Sequence, residues 1–194
     1  MIETRVLKGC ALDTALDDVA LLRINVFRAF PYLYDGDLEY ERTYLNAYRE
    51  SDRAVLVGAF DGNRLVGAAT GTPLSDHSDD FSAAFGDSDI RLTDVFYCAE
   101  SVLLPEYRGQ GIGHAFFDLR EAHARDHGFK KSAFCGVLRP EEHPLCPPDY
   151  VPLNGFWKRR GYAPMDGVIA HFAWKDLGAD SETLKPLQFW IRDL

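Results

Sequence analysis

The run Tyr107-Arg108-Gly109-Gln110-Gly111-Ile112-Gly113 has the residue types and spacing to bind an anion. It follows an apolar, strand-like stretch from Ser101 to Leu104. It opens a segment in which Ile112, Phe116, Leu119 and His123 recur at helical spacing. A glycine-rich turn between a strand and a helix leaves backbone N–H groups uncovered, and the helix presents its positive end there. The amides of Gly109, Gln110, Gly111, Ile112, Gly113 and His114 can converge on phosphate oxygens because glycine lets the backbone come close. Arg108 either adds a fixed charge or clamps the turn. The dinucleotide fingerprint fails, since His114 occupies its third glycine position. The P-loop fails too, since His114 and Ala115 stand where Lys and Ser or Thr are needed.

A second chemical candidate lies just upstream. Glu100 interrupts the apolar and aromatic run Phe96-Tyr97-Cys98-Ala99-Glu100-Ser101-Val102-Leu103-Leu104. A carboxyl group in a half-buried strand is costly unless it is used or paired. It can remove a proton or bind an acceptor; equally, it can pair with a basic residue.

Arg108-x-x-Gly111-x-Gly113, after the strand ending Leu103-Leu104-Pro105-Glu106-Tyr107, resembles the acyl-CoA-binding motif of the GNAT (Gcn5-related) N-acetyltransferase superfamily. Phe156-Trp157-Lys158-Arg159-Arg160-Gly161-Tyr162 is similar to that family's C-terminal Phe-Tyr-x-x-x-Gly-Phe. The resemblance implies an acyl-CoA-dependent N-acyltransferase that moves acetyl from acetyl-CoA to a primary amine by direct attack in a ternary complex. It implies a cofactor site at Val102, Leu103, Leu104, the residues 108–114, Tyr150 and Trp157. The pantetheine arm would lie along Val102–Leu104 like an added strand. Glu100 would serve as base or acceptor ligand, as a carboxylate often stands there in the family. Trp157 replaces the family's thiolate-protonating tyrosine, and an indole N–H is no useful acid. Tyr97 or Tyr150 then becomes the hydroxyl that can reach the sulfur, unless water serves or the thiolate leaves unprotonated. The family's acceptor cleft would be walled by Phe30, Tyr32 and Tyr34, with Asp35 or Asp37 to meet a cation. The same tyrosines can instead simply pack a helix pair. A non-catalytic acyl-CoA-binding module and an acyltransferase acting on a protein amine are the competing readings.

These residues need a scaffold. Thr4–Cys10 reads as a strand. Asp13–Phe30 reads as a helix stopped by Pro31, and Asp37–Arg49 as a second helix. Ala54–Phe60 and Arg64–Thr70 flank Asp61-Gly62-Asn63 as a hairpin. Ser75–Asp89 is polar and acidic and reads as an exposed loop, with at most a helical turn at Phe81–Phe85. Val95–Leu104 is a strand, Gly111–His127 the central helix closed by Gly128, and Ser132–Leu138 a strand. A proline-rich connection comes next at 140–152, then a short helix to Arg160 and two strands, Val168–Trp174 and Leu187–Arg192. The expected fold is α/β (α+β), with a mixed, mostly antiparallel sheet of about seven strands and about four helices. The resemblance adds that strands 95–104 and 132–138 splay apart to make the acyl-CoA cleft.

The 194 residues fit a single domain spanning 1–194. A net charge of -9 argues against nucleic-acid binding and is compatible with a cationic amine, whether small molecule or peptide. No apolar run approaches membrane-spanning length, and the N-terminus lacks a signal-peptide pattern, so no membrane partner and a cytoplasmic location are expected. Association as a homodimer is left open. Cys10, Cys98, Cys135 and Cys146 match no zinc spacing and are expected to be reduced. His123 and His127, one helical turn apart, have a chelating spacing, but packing accounts for them, and no metal is expected.

Overall fold

The computed structural model describes residues 2–86 and 88–194. Strand β1 (Ile2–Leu7) turns at Gly9, φ 53°, into α1 (Cys10–Phe27). The helix starts and ends earlier than its apolar spacing suggested. The left-handed glycine begins it, and Phe30, restricted by the following Pro31, lies in a turn beyond its end. In α2 (Leu38–Glu50), Asp37 Oδ1 accepts the Tyr40 N–H at 2.9 Å and caps the helix.

β2 (Val55–Asp61) and β3 (Arg64–Pro73) form the expected hairpin, with Gly62 at φ 59°. The next segment departs from the loop expectation. A tight turn at Leu74–His77 leads into α3 (Ser78–Phe85), and Leu74, Phe81 and Phe85 are buried. Three apolar anchors in a polar stretch suffice, because Phe81 and Phe85 each meet Phe189 edge-on.

β4 (Val95–Leu103), α4 (Ile112–Asp126), β5 (Lys131–Val137), α5 (Asn154–Arg159), β6 (Ala163–Lys175) and β7 (Glu182–Asp193) complete the chain. Gly128, φ 78°, ends α4 with the Phe129 N–H donating back to Ala124. The sheet order is β1-β2-β3-β4-β5-β7-β6, and among the described residues only the β4–β5 pair is parallel. Five α-helices accompany the seven strands among the described residues, one more helix than expected.

Two irregularities set β4 apart from a regular strand. Thr70 stands opposite Glu100 while Thr72 stands opposite Tyr97, so β4 carries one extra residue around Cys98–Ala99. Strict alternation would send Tyr97 and Glu100 to opposite faces; the bulge puts them on one. Tyr97 packs on Phe81 of α3 and Glu100 pairs with Arg23 of α1, whereas Cys98 and Ser101 face the α4 side. The second irregularity is that β4 pairs with β5 only at Val95–Tyr97 with Lys131–Ala133. Beyond that point β5 pairs with β7 alone, and a gap opens beside β4.

Candidate functional site

The gap has an apex and a mouth. Tyr97, in the last β4–β5 pair, marks the apex, and the turn into α4 marks the mouth. Along β4, the Leu104 N–H donates to Val66 of β3 at 3.0 Å, which fixes the alternation. Val102 turns its backbone groups, and Leu104 its N–H, toward β3, so Ser101 and Leu103 turn theirs into the gap. The Leu103 carbonyl accordingly meets Arg108 Nη2 at 3.4 Å. These gap-facing strand groups can pair with an extended ligand.

At the mouth, Gly109 and Gly111 have φ 75° and 82°. A Cβ at either would touch nothing, so the backbone conformation, not space, calls for glycine there. Among the described residues, no carbonyl or side chain accepts from the amides of 109–114, and α4 has no acidic residue in its first turn. Arg108 and Gln110 are exposed, and the His114 ring leans edge-on against Phe156 at 4.9 Å. Uncovered main-chain amides at a helix N-terminus are able to hold an anion.

Near the apex the chemistry is in side chains. Arg23 of α1 is buried and ion-paired with both Glu41 of α2 and Glu100 of β4. The Tyr44 hydroxyl donates to Glu100 Oε2 at 2.9 Å and lies 3.2 Å from the Tyr48 hydroxyl. Burial opposes the Arg23 charge, but Glu100, Tyr44 and Glu41 outweigh it and hold its proton more tightly than usual. Burial, then Glu100, pushes the Tyr44 phenol well above its ordinary range. Burial and Cys135 do the same for Tyr97, whose hydroxyl sits 3.1 Å from Cys135 Sγ. Burial also pushes the Cys135 thiol up to about 12, so it stays a thiol. Tyr44 and Tyr48, with Ser51, Thr72, Asp76 and His77, line a pocket of about 130 Å³.

The other expected residues are spread more widely. Phe30 is half-buried and meets Tyr150 edge-on at 4.7 Å, both from loops. Tyr32 packs on Phe27 at 4.5 Å, and burial raises its phenol. Tyr34 bridges to Asp176 in the β6–β7 connection. This loop is clamped: Arg139 donates to the Pro31 and Tyr32 carbonyls, each at 2.8 Å, and pairs with Asp176. Trp174 Nε1 donates to the Tyr32 carbonyl at 3.0 Å. Trp157 lies on Gly136 of β5, where a Cβ would come within 2.8 Å of its ring, and packs on Phe134 and Trp190. Val102 is fully buried, and Ile112 nearly so. His123 Nε2 is engaged by the Arg53 carbonyl, and among the described residues no cluster of three His, Cys, Asp or Glu is placed for a metal. No described helix is long and apolar enough to cross a membrane.

Sequence reasoning missed Arg23, Glu41, Tyr44, Tyr48 and Arg120. A signal existed: Arg23 and Arg120 sit on the apolar stripes of their helices, beside Leu22 and Phe27 and beside Phe116 and Ala124.

A mixed seven-stranded sheet that parts beside a glycine-opened helix defines an α/β domain of the N-acetyltransferase class. The sequence profile of the acetyltransferase (GNAT) family matches residues 22–146, and the chain belongs to that family. Among curated proteins there is no match. Solved structures share the fold. A ribosomal-protein-alanine N-acetyltransferase from Brucella melitensis superposes with a TM-score of 0.63 at 12% identity, covering 99% of both chains. A GNAT-family acetyltransferase from Streptococcus pneumoniae gives 0.60 at 13%, covering 100% of both. A Salmonella typhimurium protein solved with its cofactor acetyl-CoA gives 0.62 at 10%, covering 100% of this chain and 94% of that one. Acyl-CoA-dependent acetyl transfer is therefore the general reaction of this chain.

Proposed function

We propose that the chain transfers acetyl from acetyl-CoA to a primary amine by direct attack in a ternary complex. The observation that carries this reading is the gap itself: β4 leaves β5 beside the uncovered main-chain amides of the α4 N-terminus. The pyrophosphate would rest on the amides of 109–114, with Arg108 as an outer charge. The pantetheine arm would pair with Leu103 and Ser101, bringing the thioester to the apex near Tyr97. The Ser101 N–H would meet the thioester carbonyl.

The amine would enter the pocket of Tyr44, Tyr48, Thr72 and Asp76. Arg23 and Tyr44 each engage one oxygen of Glu100, and Tyr44, which lines the pocket, would be the group that meets the amine. Tyr44 would relay: the amine proton passes to the Tyr44 oxygen as the Tyr44 proton moves to Glu100. The amine nitrogen bonds the acyl carbon, the C–S bond breaks, and coenzyme A leaves as thiolate. Tyr97 keeps its proton and offers a hydrogen bond, not an acid. Supporting the direct route, the cysteine at the apex, Cys135, is held as a thiol, and among the described residues its side-chain partner is the Tyr97 hydroxyl, not a base.

Calorimetric titration of coenzyme A, followed by thiol release over a panel of small amines and peptide N-termini, tests the reading. Binding and amine-dependent release are expected. Absence of binding at millimolar ligand would overturn it, and binding without release to any amine would leave an acyl-CoA-binding module.

A further inference from the structure

We infer that Arg120 is a positioning residue for acetyl transfer: it charges the peptide unit between Glu100 and Ser101 and so strengthens the Ser101 N–H as donor to the thioester carbonyl. The inference rests on the proposed acetyl transfer and adds a residue that the glycine motif does not contain.

Arg120 is 1% exposed, in the middle of α4. Its Nη1 donates to the carbonyls of Thr70 at 3.0 Å and Glu100 at 2.9 Å, astride β3 and β4 at the bulge. Nη2 donates to Ser101 Oγ at 2.9 Å, and Nε donates back to Phe116 within the helix at 3.2 Å. The Phe117 ring lies 4.8 Å from the guanidinium carbon. Among the described residues no carboxylate is within ion-pair distance. The adjacent Glu121 is taken by Arg160, Arg192 and Arg125. A full positive charge is thus solvated by carbonyls and one hydroxyl.

A buried, unpaired cation is a costly way to fill two carbonyls, since a neutral amide would do it without the charge penalty. The charge has a direction. Glu100 C=O and Ser101 N–H belong to one planar unit and point opposite ways. The carbonyl faces β3, where Arg120 grips it, and the N–H faces the gap. A cation on the oxygen draws density from the amide and makes its N–H a stronger donor, as in a polarised hydrogen-bond chain. The positive charge also lies behind the place where the thioester oxygen gains negative charge during attack.

Two substitutions separate charge from filling. Arg120→Lys keeps the charge; Arg120→Gln keeps N–H donors and loses it. The probe is acetyl-CoA labelled with ¹³C at the thioester carbonyl, read by infrared difference spectroscopy, with coenzyme A affinity and turnover alongside. Wild-type protein should shift the carbonyl stretch to lower frequency on binding, and Arg120→Lys should retain most of that shift. Arg120→Gln should lose it, with turnover down about tenfold or more and coenzyme A affinity within about twofold of wild type. Bound acetyl-CoA with no shift in wild type, or the same shift in wild type and Arg120→Gln, overturns the inference and leaves acetyl transfer standing. If Arg120→Gln fails to fold, loss of the shift in a folded Arg120→Lys overturns it as well. No acetyl-CoA binding by wild type would overturn the reading and the inference together.

Discussion

The two ends of the β4 gap are built from different materials. The mouth is main chain: glycines at positive φ and the open amides of the α4 N-terminus, exposed and without an ion pair of their own. The apex is side chain: Arg23, Glu41 and Glu100 buried together from three elements, with Tyr44 and Tyr48 against them. A main-chain site depends on local backbone shape and little on side-chain identity. A side-chain site depends on a cooperative charge network and on the packing that excludes water from it. The donor end should therefore fail through conformation, and the acceptor end through charge.

The largest break should come from Arg23→Met. It leaves Glu41 and Glu100 buried without a cation, at a cost of about 3–5 kcal/mol, read as a lowered urea midpoint. An unchanged midpoint would mean the triad is not a structural unit. Next, Tyr44→Phe removes the hydroxyl that joins the pocket to Glu100. Turnover should drop about 100-fold while coenzyme A affinity holds; a loss of affinity without a loss of turnover would reverse the assignment of the two ends. Gly111→Val strains a residue at φ 82° and should weaken coenzyme A about tenfold, at about 1–2 kcal/mol of local strain, with turnover of the saturated complex unchanged.

Smaller effects sharpen the contrast. Burial opposes ionisation of Asp176, but Arg139 and Lys185 hold its carboxyl below the usual range. Its share of stability is present above the ordinary carboxylate range and is lost as pH falls through the depressed pKa. Asp176→Asn should therefore flatten the acid side of a melting-temperature profile and leave the neutral side lower by a few degrees. Arg108→Ala, at an exposed position, should weaken coenzyme A only a few-fold, and more at low salt than at high.

The mouth was legible because its determinants are local. Glycine spacing, a strand before and a helix after lie within a short stretch around Arg108–Gly113. The hairpin at Gly62 was legible for the same reason. The apex was not, because Arg23, Glu41 and Glu100 meet only through the fold, and one inserted residue in β4 decides that Tyr97 and Glu100 share a face. The bulge leaves no periodic trace, and the ion triad leaves only Arg23 on an apolar helix stripe, with no sign of its partners. α3 was hidden differently: its polar sequence satisfies a loop reading, and only Phe189, far along the chain, gives Phe81 and Phe85 something to cover. Trp157 raised doubt about the thiolate's proton, and the structure explains its size by packing against Gly136.

The sheet order has a consequence for how the molecule comes to exist. β7 lies between β5 and β6, so β5 has no partner for most of its length until residues 182–193 have been synthesised. A nascent chain that has already formed β1–β4 and α4 carries β5 with an open edge as it leaves the ribosome. The wall of the gap opposite β4 is thus the last part to be secured.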